Sequence, residues 1–108
     1  MIYLVNAFSI NMLDRKAHKI EFTPIILDHA KKILNSSNCQ SGIGHYDLAN
    51  ILSAILGLKV EVNRTTLKIE PNDTLIVAQY SGERLPEGAT SLPAGAKVEF
   101  WVVQILPE

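Results

Sequence analysis

One cysteine is all this chain carries. Cys39 cannot form an intrachain disulfide, and a zinc site of the Cys-rich kind is out of its reach. A solitary thiol fits a reducing compartment. No apolar run approaches the roughly eighteen residues that a membrane-spanning helix needs. The opening MIYLVNAFSINML is apolar, but it has no cationic start and is broken by Asn6, Ser9 and Asn11, unlike a secretory signal. Neither sign of charge dominates: ten Lys+Arg stand against eleven Asp+Glu, a formal charge of −1. A protein that holds long duplex by phosphate neutralisation normally shows a clear basic excess. Also missing are a Walker loop, a dinucleotide fingerprint, a G-x-S-x-G elbow and an H-E-x-x-H pair, which disfavours most cofactor and metal enzymes. These absences predict a cytoplasmic protein with neither membrane nor long nucleic acid as partner.

What is present is enough for one core. The 108 residues are 47% apolar and 19% charged, which suits a single domain over 1–108 and excludes a disordered or fibrous chain. Ile2 to Ala7 reads as a first strand, ending in the mixed polar and apolar Phe8-Ser9-Ile10-Asn11. A charged turn, Asp14-Arg15-Lys16-Ala17, leads to His18–Phe22, whose alternation suggests a half-buried strand. Thr23-Pro24 has the form of a helix start, Thr as N-cap and Pro at the first helical position. Ile26, Leu27, Ala30, Ile33 and Leu34 follow at helical spacing.

A polar stretch to Gly44 reads as loop. A second helix carries Leu48, Ile51, Leu52, Ile55 and Leu56 on one face and ends at Gly57. Leu58–Val62 and Thr66–Glu70 alternate about Asn63-Arg64-Thr65 and predict a hairpin. Leu75–Tyr80 and Lys97–Leu106 are further strands, separated by a long Gly- and Pro-containing loop, Ser81 to Ala96, of the kind that is usually functional or mobile. The fold expected is α/β: one domain, a mixed sheet of about five strands flanked by helices.

Gly42-Ile43-Gly44-His45, at the entry to the second helix, is the most informative segment. Free backbone N–H groups and the positive end of the helix dipole favour an anion there, and glycine would let a phosphate come close to the main chain. His45 beside it could exchange a proton near neutral pH. A histidine at a helix start also serves simply as a cap or as packing, so both readings stand on the residue types alone. Arg64 in the tight turn and Arg84 in the long loop, with Glu87 three residues on, suit phosphate oxygens or plain solvation. Ser9, Asn11 and Gln79 sit at strand ends, where polar side chains line pockets or bind turns. His18 and His29 read as surface residues, and Asp28, Asp47 and Asp73 as helix and turn residues. No metal ligand set emerges.

Several of these positions fall into one pattern. Asn6-Ala7-Phe8-Ser9-Ile10-Asn11-Met12-Leu13, Ile43-Gly44-His45, Asn63-Arg64, Gln79 and Arg84-Leu85-Pro86-Glu87-Gly88 occur in the order seen in the small ring nucleases first met in archaeal viruses, which the chain resembles. That family acts as anti-CRISPR proteins against type III systems, and has cellular relatives. The resemblance implies a metal-independent phosphodiesterase without cofactors, a homodimer that cleaves cyclic tetra-adenylate to linear di-adenylates ending in 2′,3′-cyclic phosphate. It thereby switches off the ancillary effectors of the type III response. It implies His45, Arg84 and Glu87 as catalytic residues and Ser9, Asn11, Gly44, Arg64 and Gln79 as ligand-binding ones, with the long loop closing over the ring. Tyr46-Asp47 stand here where members more often carry an acidic and a hydroxyl residue. Two other classes fit the same residues less fully: a module that binds or sequesters a cyclic oligonucleotide, and a small nucleic-acid-binding regulator.

Overall fold

The computed structural model describes residues 1–36 and 38–107. Five strands and two helices follow in the order β1 (Ile2–Val5), β2 (Ile20–Ile25), α1 (Leu27–Ser36), β3 (Cys39–Ser41), α2 (Tyr46–Leu56), β4 (Thr74–Ser81) and β5 (Lys97–Ile105), with a single 3-10 turn at Ile10–Met12. The strands form one mixed sheet in the order β2-β5-β4-β1-β3. β1 lies parallel to both β3 and β4, while β5 runs antiparallel to β4 and β2. The α/β sheet expected from the sequence is the sheet found.

Alternation along the central strands explains why both faces of the sheet are covered. Leu4, Ile76, Ala78 and Phe100 point to one side and join Ala30 and Leu34 of α1 with Leu48, Ala49, Leu52 and Leu56 of α2 in one core. Val5, Leu75, Val77, Val103 and Ile105 point to the other, where Met12, Leu67 and Ile69 cover them. A strand with two buried faces needs near-continuous apolar sequence, and β4 supplies it in Leu75-Ile76-Val77-Ala78, all buried. Gly57, with φ +68°, ends α2 in the left-handed conformation, its N–H bonded to the Ser53 carbonyl at 3.0 Å.

Three sequence expectations change. Thr23-Pro24 does not start a helix: both residues belong to β2, which pairs with β5 from Ile20↔Ile105 to Ile25↔Phe100. β2 is an edge strand, where a missing N–H on the open side is tolerated, and α1 begins only at Leu27. Ile26 is accordingly 71% exposed rather than in the core. The hairpin about Asn63-Arg64-Thr65 is not formed either. Leu58–Glu70 is irregular, tied by one bridge between Ile43 and Val62 and by the Ile69 N–H to the Met12 carbonyl at 3.0 Å. Its alternation serves two faces instead of two strands: Val60 enters the helix-side core, Leu67 and Ile69 the opposite one. Finally, the presumed loop before Gly44 contains β3, three residues whose pairing with β1 supplies what their propensity does not.

Candidate functional site

The sheet order itself marks a place for a ligand. β1 pairs with β3 on one side and β4 on the other, so the chain crosses over β1 between β3 and β4. Ligands of open α/β sheets bind outside the carboxyl ends of the strands at such a reversal. There the protein has an open cleft of about 910 Å³ lined by Asn6 and Ala7 after β1, Gln79 and Tyr80 of β4, His45, Asp47 and Leu48 at the head of α2, and Arg84, Leu85 and Glu87 of the loop 82–96.

His45 is the N-cap residue of α2, with extended backbone (φ −117°, ψ 127°) and no side-chain capping bond. Its imidazole is exposed and uncommitted to the helix. The capping function foreseen as one reading of His45 is not performed. Its carbonyl accepts the first helical bond, from the Ala49 N–H at 3.0 Å, so the three amides of 46–48 precede the ladder. The approach to His45 is held by struts. Gly42 N–H donates to the Leu4 carbonyl at 2.7 Å and prolongs the β1–β3 pairing. The Asn63 amide donates to the Ser41 carbonyl at 2.8 Å, and Arg64 Nε donates to the Gly44 carbonyl at 2.8 Å. Asn63-Arg64 therefore braces the turn that presents His45, a role invisible in the sequence.

The two glycines act differently from the expectation of a close phosphate approach. A Cβ on Gly42 would sit 2.8 Å from Leu67 Cδ1 and 2.9 Å from Val5 Cγ1. Core packing alone accounts for this glycine. At Gly44 the nearest atom is Arg64 Cγ, at 3.3 Å, so the arginine stem lies over it.

The loop 82–96 is less irregular than its composition suggests. Pro86–Ala89 and Pro93–Ala96 are two turns of one design, each closed by an alanine N–H to the proline carbonyl at 3.1 Å. Gly88 and Gly95, third in each, have φ of +77° and +80°, the conformation that a type II turn reserves for glycine. Leu85 packs against the helix-side core, and the Tyr80 hydroxyl donates to the Glu83 carbonyl. Gly88 N–H donates to Asp47 Oδ1 at 2.9 Å.

Of the residues singled out in the sequence, His45, Gln79, Arg84 and Glu87 thus share one cleft, whereas Gly44 and Arg64 do not line it and are bonded to each other next to His45. Ser9 and Asn11 do not line it. The Ser9 hydroxyl accepts the Asn11 N–H at 3.2 Å and caps the 3-10 turn. Asn11 borders a second cleft of about 850 Å³, with Arg15, Lys16, His18, Lys68 and Glu70. Asp47, Tyr80 and Asn6 are cleft residues that the sequence did not single out for this site. Asp47 had a sufficient explanation as a helix-start acid, and the contact that brings it to the loop spans 41 positions. Burial pushes the Cys39 thiol up, away from the thiolate form. Among the described residues, no three His, Cys, Asp or Glu side chains gather as a metal site would require, and no helix is long and apolar enough to cross a membrane.

Known proteins place this architecture. The model of the family described as STIV B116-like matches residues 2–95. The chain belongs to that family. ORF117 of Acidianus two-tailed virus is 39% identical over 90 residues, 82% of this chain and 75% of that protein. Protein 26 of Sulfolobus islandicus filamentous virus is 24% identical over 76 residues, 70% of this chain and 64% of that one. Among solved structures, B116 of Sulfolobus turreted icosahedral virus superposes with a TM-score of 0.80 at 26% identity, covering 95% of this chain and 97% of its own. A viral origin fits this B116-like chain, and the match takes in the cleft with the strands, helix and loop that line it.

Proposed function

We propose that this protein is a metal-independent ring nuclease that opens cyclic tetra-adenylate, so that a virus silences the effectors of a type III CRISPR response. The observation that carries the reading is the meeting of His45 with Arg84 and Glu87, about forty positions on in the sequence, in one cleft at the carboxyl ends of β1 and β4. A ribonucleotide ring brings its own nucleophile. Its 2′-oxygen attacks the adjacent phosphorus, the P–O5′ bond breaks, and the product ends in a 2′,3′-cyclic phosphate. The protein needs only to align the ribose and phosphate, offset charge and protonate the departing oxygen.

His45 as imidazolium donates that proton to O5′, and a phosphate beside it favours the charged form. Arg84 spans two phosphate oxygens with its planar fork. The amides of 46–48 add donors at the positive end of α2. Glu87 either takes the 2′-hydroxyl proton or orients His45 or Arg84. A Glu87→Gln variant separates the two, since loss of a base removes the acid limb of the rate profile while loss of an orienting contact lowers the whole curve. Gln79 and the remaining N–H groups of Arg64 serve the ligand. A cleft of about 910 Å³ takes part of a four-nucleotide ring. Opposite phosphodiesters of the ring are related by a two-fold axis, which a homodimer with C2 symmetry matches.

A single-turnover assay with labelled cyclic tetra-adenylate in EDTA tests the proposal. Conversion to linear di-adenylates that His45→Ala abolishes supports it. Tight binding without cleavage by the unaltered protein would replace it with a sequestering module, and salt-dependent binding to random duplex with a nucleic-acid regulator.

A further inference from the structure

The cleft is assembled from two parts of the backbone distant in sequence, the head of α2 and the loop 82–96, and Asp47 bridges them. An acidic side chain in the first helical turn ordinarily satisfies the helix's own N–H groups or its dipole. Asp47 instead accepts the Gly88 N–H at 2.9 Å, from the loop 82–96. The bond is made at a defined point of the loop. Gly88 is the left-handed residue of the Pro86–Ala89 turn, φ +77°. It directly follows Glu87 and lies four residues beyond Arg84, while Asp47 lies two residues beyond His45.

The second turn provides an internal contrast. Pro93–Ala96 repeats the geometry with Gly95 at φ +80°, yet forms no bond to α2 among the described residues, and it carries Ala94 where the first turn carries Glu87. The turn that bears the candidate catalytic carboxylate is the one tied down.

We infer that Asp47 is a positioning residue: by holding the Gly88 amide it sets the distance between His45 on α2 and the Arg84/Glu87 pair on the loop. The catalytic consequence rests on the ring-nuclease reading, whereas the tether itself does not. Misplacement by about 1 Å costs up to about 100-fold in rate, so Asp47→Ala lowers single-turnover cleavage of cyclic tetra-adenylate by about 10–100-fold. Asp47→Asn keeps a carbonyl oxygen for the same N–H and stays within a few-fold of the parent, although its charge is gone.

Amide exchange at Gly88, measured by NMR on ligand-free protein, gives the readout that is independent of activity. It quickens in Asp47→Ala and not in Asp47→Asn, while core amides of α2 and β4 remain protected in both. Unchanged Gly88 exchange in Asp47→Ala overturns the tether. Quickened exchange with cleavage unaffected overturns the positioning role. If the parent protein leaves the ring intact, the ring-nuclease reading fails and the positioning role fails with it; the exchange result then still decides the tether.

Discussion

The two larger clefts described above are near equals in size, about 910 and 850 Å³, and each contains a histidine, two carboxylates and at least one Lys or Arg. They differ in what those groups are already doing. In the second cleft His18 Nε2 meets Asp14 Oδ1 at 2.7 Å, and Lys68 Nζ donates to the Asn11 carbonyl at 2.6 Å. In the first, His45 makes no capping bond, and Gln79 reaches only the Tyr80 carbonyl, at 3.5 Å. Polar groups that have already found partners add to the fold, whereas those left to solvent keep their donors and charge for a ligand. A histidine already bonded to a carboxylate is thus weaker evidence of chemistry than one with no such bond, when helix amides and an arginine face the same space.

Exchange of roles between the clefts is the sharpest test. Removing the general acid costs about 10²–10⁴ in rate, so His45→Ala drops single-turnover cleavage by that factor, while His18→Ala leaves it unchanged. Equal losses in the two variants would erase the distinction. For the cations, Arg84→Ala is expected to lose about 10²–10³. Arg84→Lys retains charge but not the fork and recovers only part of this. Arg15→Ala and Lys68→Ala, in the second cleft, leave the rate where it was.

Smaller effects appear in stability. Gly42→Ala pushes a methyl group into Leu67 and Val5, and such overpacking costs about 1–3 kcal/mol. Denaturant unfolding measures it, and a neutral result would return Gly42 to the role of admitting phosphate.

The smallest effect concerns Asp14. The Lys16 backbone N–H, and after it the His18 ring, hold its carboxyl below the ordinary 3.8. A carboxyl depressed in the folded state stabilises at pH values above its ordinary one, and that stabilisation fades as pH falls through the lowered value. Asp14→Asn should therefore melt slightly earlier at neutral pH, with the gap in Tm closing on acidification. A gap that widens towards acid would contradict the assignment.

Much of the fold was legible because its signals are local. The apolar run from Leu75, the helical spacing of Leu48 to Leu56 and the terminating Gly57 all became the elements they announced. The errors share a cause in non-local pairing. Pro24 reads as a helix start until β5 takes residues 20–25 as an edge strand. The Leu58–Glu70 pattern reads as a hairpin until its apolar residues divide between the two faces of the sheet. At the site, residue type and place in the chain marked His45, Gln79, Arg84 and Glu87 as candidates, and only the family resemblance gave them roles. Asp47 was not marked, because its value lies in an amide 41 residues away. The bracing of Gly44 by Arg64 was hidden for the same reason, since a side chain bound to a carbonyl leaves no mark in spacing.

The sheet also ends in a way that matters outside any chemistry. One border is β2, six residues interrupted by Pro24, with Glu21 within it and Lys19 just before it; the other is β3, only three residues long. An unfinished sheet normally invites a stray strand, from another molecule or a nascent chain, to continue it. Here one border lacks a donor and the other lacks length. A chain with 47% apolar residues and a net charge of only −1 has little electrostatic repulsion to keep its copies apart. Blunted borders give it a geometric safeguard against clumping at high concentration.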